Sequence, residues 1–269
     1  MKALLLTLII VISQLTASQN LVFGAISTVE PKLMKAKLTP LIKEIEKVTG
    51  ANIEFQTGYD YTDTISKFAD GSFDIGLIGP APYIRVKNID PNALKIIASI
   101  KNSEKSPFRS VIISKKGSKF LKHSDLKDQN FAFGSPESTL SYYVPKSMLI
   151  DSKTLKELRY YDLLGRHDRV AQYVIMGKYS AGAVKQSVAN KYSKYLQVIA
   201  TSEAMPGFMI VANSKLDKNL VLKIKKMLLN LEDIKIIQNI KKSAVGFQER
   251  EDSDYDKLRD IMDSVDNYK

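Results

Sequence analysis

The 269-residue chain contains no cysteine and only two histidines. Without cysteine it has no disulfides, and it cannot carry the lipid that a bacterial lipoprotein holds on an N-terminal cysteine. So few histidines, with no thiol, argue against a His-rich catalytic zinc site. None of the HExxH, GxSxG or Walker patterns occurs. The apolar stretch from Ala3 to Ile12 is too short for a hydrocarbon core, which needs about 20 residues. No internal repeat, low-complexity tract or proline-rich linker divides the chain.

What is present begins with MKALLLTLIIVISQLTAS, one Lys followed by an apolar run and then small residues. This reads as a secretory signal over residues 1–18, cleaved near Ser18. Export without cysteine points to a soluble periplasmic protein. The remaining chain of about 250 residues exceeds one ordinary domain, so two compact units are expected. With no flexible linker between them, the units are expected to be joined by strands that cross from one to the other. A formal net charge of +11 would suggest nucleic acid in a cytoplasmic protein. Export argues against that partner, as does the dispersal of the charges in runs such as LVLKIKKMLLNL, which read as solvated helix faces. A basic periplasmic protein can still steer small anions toward itself.

Periodicity predicts a strand at Leu21–Ile26, a turn at STVEP, and a helix from Pro31 to Thr49 with Leu33, Leu41, Ile42, Ile45 and Val48 inward and Gly50 as its stop. ANIEFQTG, a helix over Tyr61–Asp70, FDIGLIGP and a helix around Tyr83 continue an α/β rhythm. KIIASI and SVIISKK are further strands. The same alternation resumes from HSDLKDQNFAFG through Leu158–Leu163, Arg169–Gly177, Gly182–Val184 and Gln197–Ala200. After GFMIVANS the pattern is helical to the end, most clearly at Leu220–Leu231 and Tyr255–Val265.

Strands of an open α/β sheet deliver their carboxyl ends to helix N-termini, whose free N–H groups favour anions. NFAFGSPESTLSYY is such a junction, with hydroxyls in the first turn of the next helix that can donate to an anionic oxygen. Ser138 alone reads equally well as an ordinary N-cap, and Pro145 stands close enough to the start to be tolerated. GRHDRV, from Gly165 to Val170, places His167 at a second junction, where a lone histidine is as readily structural. Tyr61 and Tyr83 lie at matching junctions of the first unit and could be core or capping aromatics.

Four runs taken together carry a resemblance: YTDTISKFADGSFDIGLIGPAPY, STLSYYVP, GRHDRVAQYVIMGKYSAGAV and GFQEREDSDYDKLRDIM. The chain resembles the phosphonate, phosphite and phosphate substrate-binding proteins of ABC transporters, a family of type II periplasmic binding proteins. The resemblance implies an α/β fold of two lobes, each a mixed, mostly parallel sheet flanked by helices, with the ligand cleft between them. Lobe 1 is expected at residues 19–104 with 212–269, and lobe 2 at 105–211. It implies that Ser138, Thr139, Ser141, His167, Tyr61 and Tyr83 bind a small phosphorus oxyanion. It also implies a monomer that serves an inner-membrane ABC permease, with no cofactor, no metal and no catalysis. Members that bind aminoalkylphosphonates present a carboxylate after the strand corresponding to AGAV, whereas here KQSVANK follows and no acid occurs between Asp168 and Glu203. A ligand without an amine is therefore expected. Two other roles are open: presenting a ligand to a membrane sensor or chemoreceptor, which needs the same closed lobes and is not separated from transport by the sequence, and hydrolysing phosphate esters in the periplasm, against which the sparse histidine, absent cysteine and lack of a clustered carboxylate motif weigh.

Overall fold

The computed structural model describes residues 19–26 and 30–269, so the expected export signal and most of the STVEP turn lie outside the described residues. Strand β1 (Asn20–Ala25) precedes helix α1 (Pro31–Thr49). Pro31 opens α1 where a missing N–H costs nothing. Gly50 closes it in the left-handed region at φ 72°, donating its N–H to the Glu46 carbonyl at 2.8 Å. Met34, Leu38, Leu41, Ile42 and Ile45 face inward. Leu33, expected on that face, is instead 49% exposed. One residue rotates a helix by about 100°, and Met34, not Leu33, falls on the row of Leu38, Leu41 and Ile45.

The chain continues through β2 (Asn52–Thr57), α2 (Tyr61–Ala69), β3 (Ile75–Ile78), α3 (Pro80–Ile89) and the long β4 (Leu94–Asn102). Next come β5 (Ser110–Lys115), β6 (Asn130–Phe133), α4 (Val144–Asp151), β7 (Tyr160–Leu163), α5 (His167–Ile175), β8 (Ala181–Lys185), α6 (Gln186–Lys191) and β9 (Leu196–Thr201). The last part holds β10 (Met209–Asn213), α7 (Lys218–Leu229), α8 (Ile234–Ile240), β11 (Ala244–Gln248) and α9 (Asp256–Asp266). The expectation of an unbroken helical C-terminal part is thus corrected by β11, an edge strand that pairs antiparallel with β4 and buries Ala244 and Phe247. So short a strand shows too little alternation to be read between two helices.

Two sheets result, one ordered β11-β4-β10-β3-β1-β2 and the other β7-β6-β8-β5-β9. Pairings within the strand-helix-strand units are parallel, as expected: β1 with β2 and β3, and β6 with β7 and β8. Every antiparallel pairing involves β4, β5, β9 or β10, the strands on either side of the two passages between sheets. Those passages are residues 103–109 and 202–208. All of β10 pairs within the six-stranded sheet, so the expected border between 211 and 212 falls inside a strand of that sheet.

Apolar side chains cover both faces of each sheet. Phe108 and Phe208, one from each passage, meet edge to face with centroids 5.7 Å apart. Helix α9, which follows β11, reaches back across the molecule. Arg85 of α3 pairs with Asp266 of α9 at 2.8 Å and with Glu137 at 3.1 Å, and it also donates to the Tyr143 hydroxyl.

Candidate functional site

The junction after β6 is not a plain helix start. Residues Thr139–Tyr143 form a π-helical turn, in which the Val144 N–H reaches the Thr139 carbonyl five residues back. Pro145 has no N–H to offer the Ser141 carbonyl, the bond a regular α-helix would make there. That carbonyl accepts the Gly134 N–H instead, at 2.9 Å, which ties the end of β6 to the turn. The Tyr142 and Tyr143 N–H groups converge on the Ser138 carbonyl at 3.2 and 3.1 Å, and the Ser138 hydroxyl oxygen accepts the Ser141 N–H at 3.2 Å. The amides of Thr139 and Leu140, the first two of the turn, have no acceptor within the helix. Wide turns of this kind are frequent at functional sites.

Opposite lies the start of α3, after β3. Pro80 and Pro82 occupy its first and third positions, so Ala81 carries the one N–H of that first stretch. It donates to the Thr139 hydroxyl oxygen at 2.9 Å, joining the two sheets' loops across the cleft. Tyr61, the first residue of α2, is half-buried on the same side. Burial pushes its phenol up to about 12, with a hydrogen bond to Ser138 pulling the other way.

His167 opens α5 and accepts the backbone N–H of Lys185 on Nδ1 at 3.1 Å. That bond fixes the tautomer, leaving Nε2–H as the donor of a neutral ring. Burial, helped by the nearby Lys185 charge, pushes its pKa down to about 3, so the ring stays neutral at pH 7.

Tyr61, Ser138, Thr139 and His167 therefore share the wall of one small cavity, with about 30 Å³ of water-accessible space. Apart from Lys185, the rest of the wall is apolar, chiefly Ile26, Phe108, Phe208, Pro80 and Pro82. Ser141 stands just behind this wall. Its hydroxyl is buried without a partner among the described residues, packed so closely on Gly134 that a Cβ there would come within 2.1 Å of it. An unpaired buried hydroxyl is costly, and it is the kind of group an oxyanion seated on the turn would satisfy.

Tyr83 is not brought to the cavity. It is fully buried, its hydroxyl donates to the Asp252 carboxylate at 2.5 Å, and its ring packs against Tyr255 with centroids 5.7 Å apart. Tyr83 lies one turn into α3, past the Pro80–Pro82 edge that meets the cavity.

Lys185, at the carboxyl end of β8, lines the cavity although nothing in the sequence distinguished it from other basic residues. The signal the sequence holds is the lysine directly following AGAV, a cation in a stretch that has no acid. Among the described residues, no carboxylate lies on the cavity wall, and no group of three or more His, Cys, Asp or Glu side chains is placed to hold a metal ion.

Residues 23–255 match the family model for the periplasmic substrate-binding protein of phosphonate ABC transporters. The phosphate-import protein PhnD of Mycolicibacterium smegmatis is 23% identical, with the alignment covering 91% of this chain and 85% of that protein. Among solved structures, PhnD1 of Prochlorococcus marinus, in complex with methylphosphonate, superposes with a TM-score of 0.80 at 21% identity, covering 92% of this chain and 98% of that one. A binding-protein component of an ABC phosphonate transporter from Pseudomonas aeruginosa gives 0.79 at 19% identity, covering 93% and 88%. These likenesses establish the type II periplasmic binding protein fold. The family model spans most of the chain, and its members bind substrates for transporters and are not enzymes. The chain belongs to the periplasmic substrate-binding proteins of phosphonate ABC transporters.

Proposed function

We propose that this protein captures a small phosphorus oxyanion that carries no amine, by closure of two lobes, and delivers it as a monomer to an inner-membrane ABC permease. The observation that carries this reading is the polarity of the cavity. Its neutral polar groups are hydroxyls at Tyr61, Ser138 and Thr139 and an N–H at His167 Nε2, with no carboxylate among the described residues to repel an anion or hold an ammonium. Charge-assisted bonds from several short, pre-positioned donors favour a compact tetrahedral anion. The lobes follow the two sheets, residues 19–102 with 209–269 and residues 110–201, and the passages 103–109 and 202–208 act as the hinge. The leader at residues 1–18 is the export signal that takes the chain to the periplasm.

Relatives differ in the anion their names give, phosphate in one and methylphosphonate in another. The apolar part of this cavity supports a ligand whose fourth substituent is hydrogen or a small alkyl group. A hydroxyl in that place would meet the edges of Phe108 and Phe208 and lose its water without a replacement partner. Isothermal titration of the mature protein with phosphite, methylphosphonate, phosphate, aminoethylphosphonate and sulfate tests this. Phosphite or methylphosphonate should bind tightest. Tighter binding of phosphate would overturn the ranking, and heat only from sulfate or organic acids would overturn the ligand class.

A further inference from the structure

Among the described residues, Lys185 is the one formally charged residue on the cavity wall. Its backbone is committed, because the N–H donates to His167 Nδ1, but among the described residues its ammonium has neither an ion pair nor a hydrogen bond. The charges around it do not supply a partner. Asp168, the acid on the neighbouring helix start, is already held by Arg166 through two bonds of 2.9 and 3.1 Å. Lys37 of α1 and Lys241, which precedes β11, are both cations. Lys241 is itself engaged, donating to the Asn102 side chain at 2.6 Å and lying 5.2 Å from the centre of the Phe108 ring. Burial, then repulsion by Lys37, lowers the Lys185 pKa below the usual lysine range, with Asp168 opposing.

A half-buried cation among cations, on a residue of the cavity wall and without a partner among the described residues, weakens the empty fold and is retained only if something else compensates. We infer that Lys185 is a ligand-contacting and specificity-determining residue, whose ammonium neutralises the bound oxyanion and repels any ligand that carries its own positive charge. This rests on the proposed capture of a phosphorus oxyanion. The donors of the 138–141 turn and His167 recognise oxygens but have no net charge, so they do not distinguish a simple anion from a zwitterion. Lys185 does, through like-charge repulsion in a small and partly apolar space.

The test uses the full mature protein with Lys185→Met, Lys185→Arg and Lys185→Glu, titrated with methylphosphonate and with aminoethylphosphonate. Lys185→Met should weaken methylphosphonate binding by about 10- to 100-fold, the range for a lost hydrogen bond to a charged group. Lys185→Arg should restore most of that loss. Lys185→Glu should reverse the preference between the two ligands. Without ligand, Lys185→Met should melt at or above the wild-type temperature, since an unpaired desolvated charge has been removed; a merely structural lysine would give the opposite sign. If the wild type binds methylphosphonate and Lys185→Met binds it equally well, the role of Lys185 is refuted while the capture reading stands. If the wild type binds no phosphorus oxyanion, both fall.

Discussion

Replacing Tyr83 with Phe separates a ligand contact from a structural one. Sequence resemblance assigns this tyrosine to the ligand, whereas its hydroxyl is spent on Asp252, 2.5 Å away, from a ring that is fully buried. Phenylalanine keeps the ring packing on Tyr255 and removes one hydrogen bond to a carboxylate, nominally about 1.5–3 kcal/mol. Two facts place the loss at the low end. Asp252 is about half exposed, with 53% of its side-chain surface accessible, and Arg259 still holds it at 2.6 Å, so the carboxylate is not stranded. A cost of about 1 kcal/mol corresponds to a fall in melting temperature of about 2–4 °C for a protein of this size.

The pH dependence of that deficit is fixed in sign. Burial raises the Asp252 pKa, but the bonds from Tyr83 and Arg259 outweigh it and leave the carboxyl below its usual value. A folded-state pKa below the unfolded one stabilises above the unfolded value and is lost as pH falls through the folded value. The deficit of Tyr83→Phe should therefore be full at neutral pH and shrink in acid. At the alkaline end, burial and then the Asp252 bond raise the phenol's pKa in the fold. That contribution is present below about pH 10, where the unfolded tyrosine titrates, and is lost above it. Thermal melts from pH 3 to 11 follow the deficit at both ends, and titration of methylphosphonate at pH 7 follows affinity. A tenfold loss of affinity with an unchanged melting temperature would refute the structural assignment of Tyr83.

Thr139→Ala removes the acceptor of the Ala81 N–H and a candidate ligand donor, and affinity by titration should fall by about 1–3 kcal/mol. Pro145→Ala restores an N–H that competes for the Ser141 carbonyl, so hydrogen exchange at Gly134 should speed up and oxyanion affinity fall while the melting temperature changes little; unchanged exchange would dismiss the π-turn account. His167→Gln tests the buried neutral ring. Its pKa of about 3 in the fold lies below the unfolded value near 6.5, so the unfolded state binds more protons between these limits and stability must fall as pH drops through that window. Glutamine does not titrate, and the variant's denaturation midpoints should lack up to about 1.4 kcal/mol of slope per pH unit there.

Much of the fold was legible because its signals are local. The 19-residue helix α1, with Pro31 at its start and Gly50 at its end, reads directly from capping chemistry and period. So does the hydroxyl-rich junction after β6. What escaped depends on partners distant in sequence. Tyr83 meets Asp252 across 169 positions, and no periodicity reports that. The π-turn depends on a carbonyl that Pro145 leaves free and on an amide at Gly134 that takes it, a trade visible only once both are placed. Lys185 escaped for a different reason: a lysine after a strand is common on any basic protein, and only the geometry reveals that it stands on the cavity wall with no partner for its ammonium among the described residues.

The pair of phenyl rings from the two passages has a mechanical implication. In the proposed closure, Phe108 and Phe208 belong to the segments on which the halves would swing, and the same rings line the cavity. Rotation at the joint therefore reshapes the surface on which cargo rests, and cargo wedged against that surface resists rotation. A guest too bulky for the aromatic floor would prop the jaws apart without needing to disturb any polar contact. Size discrimination and shutting then become one movement, enforced at the axle.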